Sequence, residues 1–288
     1  MSSPKVSVLL TTYKPRSDWL DQAITSVIAQ TFTDFELLVL DDSRLPAVQR
    51  IAMAYRDKRI QYLSGPSRGP SYNHAFGIER AAAPELAIIN HDDAWEPTML
   101  ERLMGAYHSV PNVVLAFCDH SVMDESGVVD PARSDALSTQ WGRASLSPGI
   151  HQPFGEIALV KGSVALAQAA VFCRDVAADL DPRSGRFYDR YLAYLLARTG
   201  RPAIYVPERL AAWRDSSLNM TSTRSMGSSL ARLRMTWQFV RDPALADIRR
   251  PLSNELMRSA RGVLGAGRSV VVATVRTVIR QERSRESG

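Results

Sequence analysis

Only two cysteines, Cys118 and Cys173, occur in 288 residues, and both lie within apolar stretches. That is too few and too isolated for a disulfide framework or a cysteine metal knuckle. Long apolar runs are missing as well: no stretch approaches the ~20 residues that a membrane span needs. The apolar stretch nearest the start is only Val6–Leu10, shorter than a secretory signal core, so the expected location is the cytoplasm. No glycine-rich loop follows the first apolar run, where Thr11-Thr-Tyr-Lys-Pro15 stands instead. This absence counts against a nicotinamide enzyme, whose Gly-x-Gly-x-x-Gly occupies that turn. It also counts against a sugar-phosphate nucleotidyltransferase, which opens with a glycine-rich phosphate loop bearing Arg and Lys.

Charge is unevenly placed. The net charge is +5, but residues 226–288 hold twelve Arg and five acidic residues, which is +7, so the remaining 225 residues sum to −2. A local basic excess gives no ground for a nucleic-acid partner. The chain is 45% hydrophobic and 23% charged, enough to bury a sizeable core. Its length suits one large α/β domain with an appendage, or two small domains.

What is present is an alternation of strand-like and helix-like segments. Residues 5–11, 35–40, 60–63 and 86–89 are short apolar runs with β-branched members, read as buried strands. Between them, residues 18–30 carry Leu20, Ala23, Ile24, Val27 and Ile28 at helical spacing; 47–55 and 71–82 also read as helices. Beyond them, 98–108 reads as helix, 113–118 as strand and 121–129 as a hairpin. Residues 187–198 read as helix, 203–206 as strand, and 226–242 and 252–283 as terminal helices. Residues 130–160 show weak periodicity and are expected to be a long loop, as a lid, an acceptor-binding loop or a disordered segment. Strand–helix alternation predicts a covered, mainly parallel sheet with right-handed crossovers, and ligands then sit beyond the carboxyl ends of the strands. Three strands end in Thr11-Thr12-Tyr13, Asp41-Asp42-Ser43 and Asn90-His91-Asp92-Asp93. Two acidic pairs on one sheet edge repel unless a cation or a ligand's donors offset them. The alternative is that these residues only cap the helices that follow.

The runs Val6–Tyr13, Ile24–Phe32 and Asp34–Ser43, with Asn73, Asn90-His-Asp-Asp-Ala-Trp-Glu-Pro97 and Tyr188-Asp-Arg-Tyr-Leu-Ala-Tyr-Leu-Leu-Ala-Arg-Thr-Gly200, resemble the family-2 glycosyltransferases, the inverting GT-A group with SpsA-like members. The resemblance covers residues 5–220. It implies a GT-A fold with a Rossmann-like sheet, spanning 1–225, with a nucleotide-sugar half (1–120) and an acceptor half (121–225). Residues 226–288 form a basic helical extension outside it. The implied reaction moves a sugar from a nucleoside-diphosphate sugar, UDP or dTDP favoured, to a hydroxyl on a glycan, a lipid-linked acceptor or a small molecule. A degenerate, merely binding member of the family is the non-enzymatic alternative.

By the same resemblance, Asp92 and Asp93 are the metal-binding motif for Mn²⁺ or Mg²⁺, with Asp92 also on the donor. Thr11, Tyr13 and Asp41 form the nucleoside pocket, and Arg68 contacts base or phosphate. Arg214 stands where a guanidinium pairs with the pyrophosphate. Asp189 is the general base that takes the acceptor proton. Two positions depart from the pattern: Asn90 replaces an acidic residue, and Tyr188 replaces a Glu beside the base. Trp141 and Trp213 are candidate sugar-stacking rings. In the tail, Val271, Val275, Val278 and Ile279 form an apolar stripe beside Arg268, Arg276, Arg280, Arg283 and Arg285. Such a helix either packs, on this chain or in a homodimer, or lies peripherally on an anionic inner membrane face.

Overall fold

Apolar strands covered on both faces leave little freedom in how the first half of the chain folds. A computed structural model describes residues 3–216 and 226–265. The chain divides into two compact units at Met220. In the first, β1 (Val6–Thr12), α1 (Ser17–Ile28), β2 (Phe35–Asp41), α2 (Pro46–Ala54), β3 (Ile60–Ser64), α3 (Pro70–Arg80) and β4 (Glu85–Asn90) follow one another. Every residue of β1 and β2 is buried, as a sheet with helices on both faces requires. Next come β5 (Ala94–Trp95), α4 (Met99–His108), β6 (Leu115–Met123), β7 (Val129–Asp130) and α5 (Pro131–Gln140). The unit closes with β8 (Gly149–His151), β9 (Ala170–Cys173), α6 (Arg174–Ala177), α7 (Tyr188–Ala197) and β10 (Ala203–Arg214).

The strands form one sheet in the order β3-β2-β1-β4-β9-β6-β10-β5. The block β3-β2-β1-β4 is parallel throughout. Its register sets Thr12 beside Asp41, Asp41 beside Ser64, and Thr11 beside Asn90, so the three polar strand ends share one edge. Beyond β4 the sheet is mixed: β9 runs antiparallel to both β4 and β6, while β6 and β10 are parallel. The four-residue β9 has no turn signal of its own and is invisible to periodicity. Helix α1 buries Trp19, Leu20, Ala23, Ile24 and Val27 against the sheet. Each large apolar side chain buried this way contributes about 1.5–3 kcal/mol.

Residues 130–160 are not the expected long loop. Asp130 caps α5 by accepting the Arg133 N–H at 3.0 Å, with Pro131 in the first turn. The helix turns serines inward: Ser134 and Ser138 are buried, and Ser134 Oγ accepts the Val122 N–H at 2.9 Å. An inward face of serines carries no hydrophobic period, which is why the pattern hid it. A π-helical turn, Glu156–Val160, follows β8.

The second unit holds α8 (Met226–Arg241) and α9 (Arg249–Gly265). Met235, Phe239, Leu245, Ile248 and Leu252 are buried there, and Arg232 pairs with Glu255 at 2.9 Å. The stripe from Arg268 to Arg285 lies outside the described residues.

Candidate active site

At the end of β4 the chain turns so that Asp92 and Asp93 face opposite ways. Asp93 is 1% exposed; its Oδ1 accepts the Arg214 N–H at 3.1 Å and its Oδ2 accepts from Asn90 Nδ2 at 3.1 Å. Burial first, and the neighbouring Asp92 second, push its carboxyl well above the ordinary range. Asp92 is half-buried, and among the described residues no donor reaches its carboxylate. Only its carbonyl is engaged, by Arg214 Nε at 2.8 Å.

Arg214 is buried with 1% exposure. Its Nη1 donates to the carbonyls of Asp124 (2.9 Å) and Glu125 (3.2 Å), and its Nη2 to Gln22 Oε1. The guanidinium lies 5.0 Å from the Trp19 ring, whose Nε1 donates to Glu125 O at 3.1 Å. This arginine holds the Asp92–Asp93 turn, the β6–β7 hairpin and α1 together, with its donors on protein acceptors.

The β2 end also splits its pair. Asp41 is fully buried, accepting from Ser43 N–H at 2.8 Å and Tyr62 OH at 2.9 Å. Desolvation, then the bond to Asp41, raises the Tyr62 phenol to about 12. Asp42 instead accepts the N–H groups of Ser67 (2.6 Å) and Gly69 (2.9 Å), shaping the loop that carries Arg68. A Cβ at Gly65 would stand 2.5 Å from Asn73 Oδ1 and 3.0 Å from Asp42 Oδ1, so glycine lets the loop approach both. Arg68 is exposed and stacks 3.9 Å over the Tyr72 ring. Tyr13 is 56% exposed just past β1, and Thr11 Oγ1 donates to Asn90 Oδ1 at 3.4 Å.

The first turn of α7 brings Tyr188 and Asp189 to this edge. The Tyr188 ring stacks on His74 (centroids 3.7 Å apart, 18° between planes), and its OH donates to Asn90 Oδ1 at 3.4 Å. Burial, then the charges of Asp189, Asp93 and Asp92, push the phenol well above its ordinary range, so it stays protonated. His74 is pulled down to about 4 by burial and is neutral; Nδ1 lies 2.7 Å from Pro70 O, which assigns the proton to it. Ser71 Oγ donates to Gly185 O at 2.6 Å, tying α3 to the turn before α7. Asp189 is open to solvent yet surrounded by protein, and desolvation raises its carboxyl.

Asn90, Asp92, Asp93 and Tyr188 therefore belong to one neighbourhood, with Thr11 touching it and Asp189 following Tyr188 in the chain. Asp41 and Arg214 face inward, while Tyr13 and Arg68 lie on the rim. The sequence marks Asp42 only as half of an acidic pair ending a strand and gives it no role of its own, and nothing local marks the His74–Tyr188 stack. The donor set also bears on a divalent ion. Among the described residues no three His, Cys, Asp or Glu side chains converge. One unengaged carboxylate fits a hard cation that takes most of its oxygens from elsewhere, not a protein-built cage.

The family model described as "Glycosyl transferase family 2" matches residues 7–160, more than half of the chain. An uncharacterized glycosyltransferase of Rickettsia conorii is 27% identical over 128 residues, which is 44% of this chain and 21% of that protein. The succinoglycan biosynthesis protein ExoW of Rhizobium meliloti is 32% identical over 111 residues, covering 37% of this chain and 34% of ExoW. The match thus spans well under half of these relatives' length. Among solved structures, S. aureus TarS 1-349 in complex with UDP-GlcNAc superposes with a TM-score of 0.65 at 14% identity, covering 86% of this chain and 72% of that one. The mannosyltransferase PcManGT of Pyrobaculum calidifontis, in complex with GDP-Man and Mn²⁺, gives 0.60 at 16% identity, covering 97% and 81%. At such identities the likeness shows the shared GT-A fold.

Proposed function

The chain belongs to glycosyl transferase family 2 and is a glycosyltransferase, and on that premise we propose that it transfers a sugar, with inversion, from a nucleoside-diphosphate sugar to an acceptor hydroxyl. UDP and dTDP are the favoured donors. The observation that carries this reading is the contact between Tyr188 and Asn90. It ties the residue just before the accessible Asp189 to the strand end that presents Asp92, although 98 residues separate Tyr188 from Asn90 in sequence, and this supports a shared site.

Inversion requires the hydroxyl to attack from the face opposite the leaving diphosphate, with a carboxylate to take its proton. Asp189 is that base: it is reachable, and its raised affinity for protons suits the role. Asp92 is the residue that would hold a divalent cation, which supplies charge neutralisation on the diphosphate when bound. Asp93 and Arg214 fix the turn that presents Asp92. Thr11, Tyr13 and Arg68 border the nucleoside end, with Asp41 and Asp42 shaping it from behind. The bound donors named for TarS and PcManGT support a nucleotide sugar.

The test is release of nucleoside diphosphate from UDP-, dTDP- and GDP-sugars, with and without Mn²⁺, followed by NMR of the product anomer. Release from a UDP- or dTDP-sugar that rises with Mn²⁺, with an inverted anomer, is expected. No release from any donor, or a retained anomer, sinks the reading.

A further inference from the structure

Tryptophan is usually well buried, yet Trp141, directly after α5, is 38% exposed. It is also tightly held. Its backbone N–H donates to Leu137 O at 3.0 Å, and its backbone carbonyl accepts from the buried Ser163 Oγ at 2.7 Å. The indole lies against Gly162, where an added Cβ would stand 2.8 Å from ring atoms Cε3 and Cζ3. Gly162 also has φ +73°, a conformation side chains rarely adopt. Two residues after Trp141, Arg143 is 2% exposed; its Nε pairs with Asp119 at 2.6 Å and its Nη1 donates to Ser163 O at 3.2 Å. Arg209 meets the second Asp119 oxygen at 3.3 Å. Buried ion pairs of this kind contribute little net stability. What this one does is fix Arg143 on β6 and β10, while the bonds from Arg143 to Ser163 O and from Ser163 Oγ to Trp141 O pin the 141–143 turn to the 161–163 turn beneath an exposed ring.

The platform adjoins the base helix. The 161–163 turn continues from the π-helical turn, whose Leu159 carbonyl accepts from Arg190 Nη2 at 2.8 Å, and Arg190 follows Asp189. A flat ring already immobilised loses little entropy on binding, and an indole face matches the C–H face of a pyranose. Exposed Lys161 and Gln140 border it with polar groups.

We propose that Trp141 is the floor of an acceptor subsite that takes a pyranose ring, so the acceptor is a glycan or glycoconjugate. The proposal rests on the transferase reading, and the two fail separately. That reading fails if the wild-type chain releases no nucleoside diphosphate from any nucleotide sugar; the subsite is judged on glycan binding alone.

The full chain, applied to a glycan array and followed by saturation-transfer NMR with the best-bound glycan, provides the test. Wild type should bind at least one glycan, with Trp141→Ala weakening it about tenfold, the scale of one stacked ring. Trp141→Phe should retain most of the binding, and the melting temperature of Trp141→Ala should stay near wild type. Binding to no glycan, or equal binding by wild type and Trp141→Ala, overturns the subsite. A change in oligomeric state in Trp141→Ala with glycan binding intact also overturns it, and makes the indole a subunit contact.

Discussion

The turn after β4 and the first turn of α7 are built alike. Each sets two polar residues side by side, one turned into the protein and one outward. Asp93 and Tyr188 are the inward members, at 1% and 8% exposure; Asp92 and Asp189 are the outward ones. The inward pair is connected through Asn90, which donates to Asp93 and accepts from Tyr188. On the proposed reading this is a division of labour: outward carboxylates meet ligands, and inward groups hold them in place. If so, outward substitutions change chemistry, while inward ones change positioning and stability.

The largest effect tests the outward member of α7. Asp189→Asn should lower kcat by ~10²–10⁴-fold, the range for losing a general base. Donor affinity should barely move, because a group used in the transition state adds little to ground-state binding. A base must be unprotonated, and the Asp189 carboxyl lies above its ordinary value. The acid limb of kcat/KM should therefore fall above the unperturbed aspartate value of about 3.9, and the limb should persist in Asp93→Asn. Equal loss of donor binding and turnover would move Asp189 to the donor side.

The next effect separates the two members of the β4 turn. Asp92→Ala should cost ~10²–10³-fold in turnover, as removal of transition-state charge stabilisation does, and should abolish the Mn²⁺-dependent part of donor binding. Asp93→Asn should cost only ~10-fold, the scale for a group that orients a ligand-bearing neighbour. Its signature is in stability. A carboxyl raised on folding contributes fully below its unfolded value and loses that contribution as pH climbs through the folded one. Melting temperature against pH, measured without metal, should therefore flatten in Asp93→Asn. A larger turnover loss at Asp93 than at Asp92 would reverse the assignment of inward and outward.

The parallel half of the molecule was legible because its physics is local. Val6–Thr11, Phe35–Leu40 and Leu86–Ile89 are mainly apolar, with Ser7 and Glu36 the polar exceptions near their starts, and lead into polar residues, so strand, burial and shared edge follow together. The other half hides its logic. Helix α5 buries serines, Arg143 is buried on Asp119, and β9 is four residues long; none of these has a hydrophobic period. Within the site, residue type showed where acid collects but not which way each member of a pair turns. The orientations of Asp41, Asp93 and Arg214 depend on their hydrogen-bond partners: Tyr62 donates to Asp41, Asn90 donates to Asp93, and Gln22 accepts from Arg214. The two departures from the family pattern, Asn90 and Tyr188, lie 98 residues apart, and only the fold reveals that they touch.

The smallest effect probes that contact. Tyr188→Phe keeps the ring that stacks on His74 and removes only the hydroxyl that reaches Asn90. The bond is long at 3.4 Å, so its loss should be worth no more than an ordinary net hydrogen bond, about 0.5–1.5 kcal/mol. If that energy positions the α7 turn, it should emerge as a few-fold drop in kcat with donor KM unchanged. A merely structural role would lower the melting temperature and leave kcat alone. Asn90→Ala removes the other end of the contact, so adding Tyr188→Phe to it should cost nothing further, the non-additivity expected of two residues acting through one contact. Fully additive losses would mean that Tyr188 and Asn90 act independently, and that the turns bearing Asp92 and Asp189 are aligned by the sheet and helices alone.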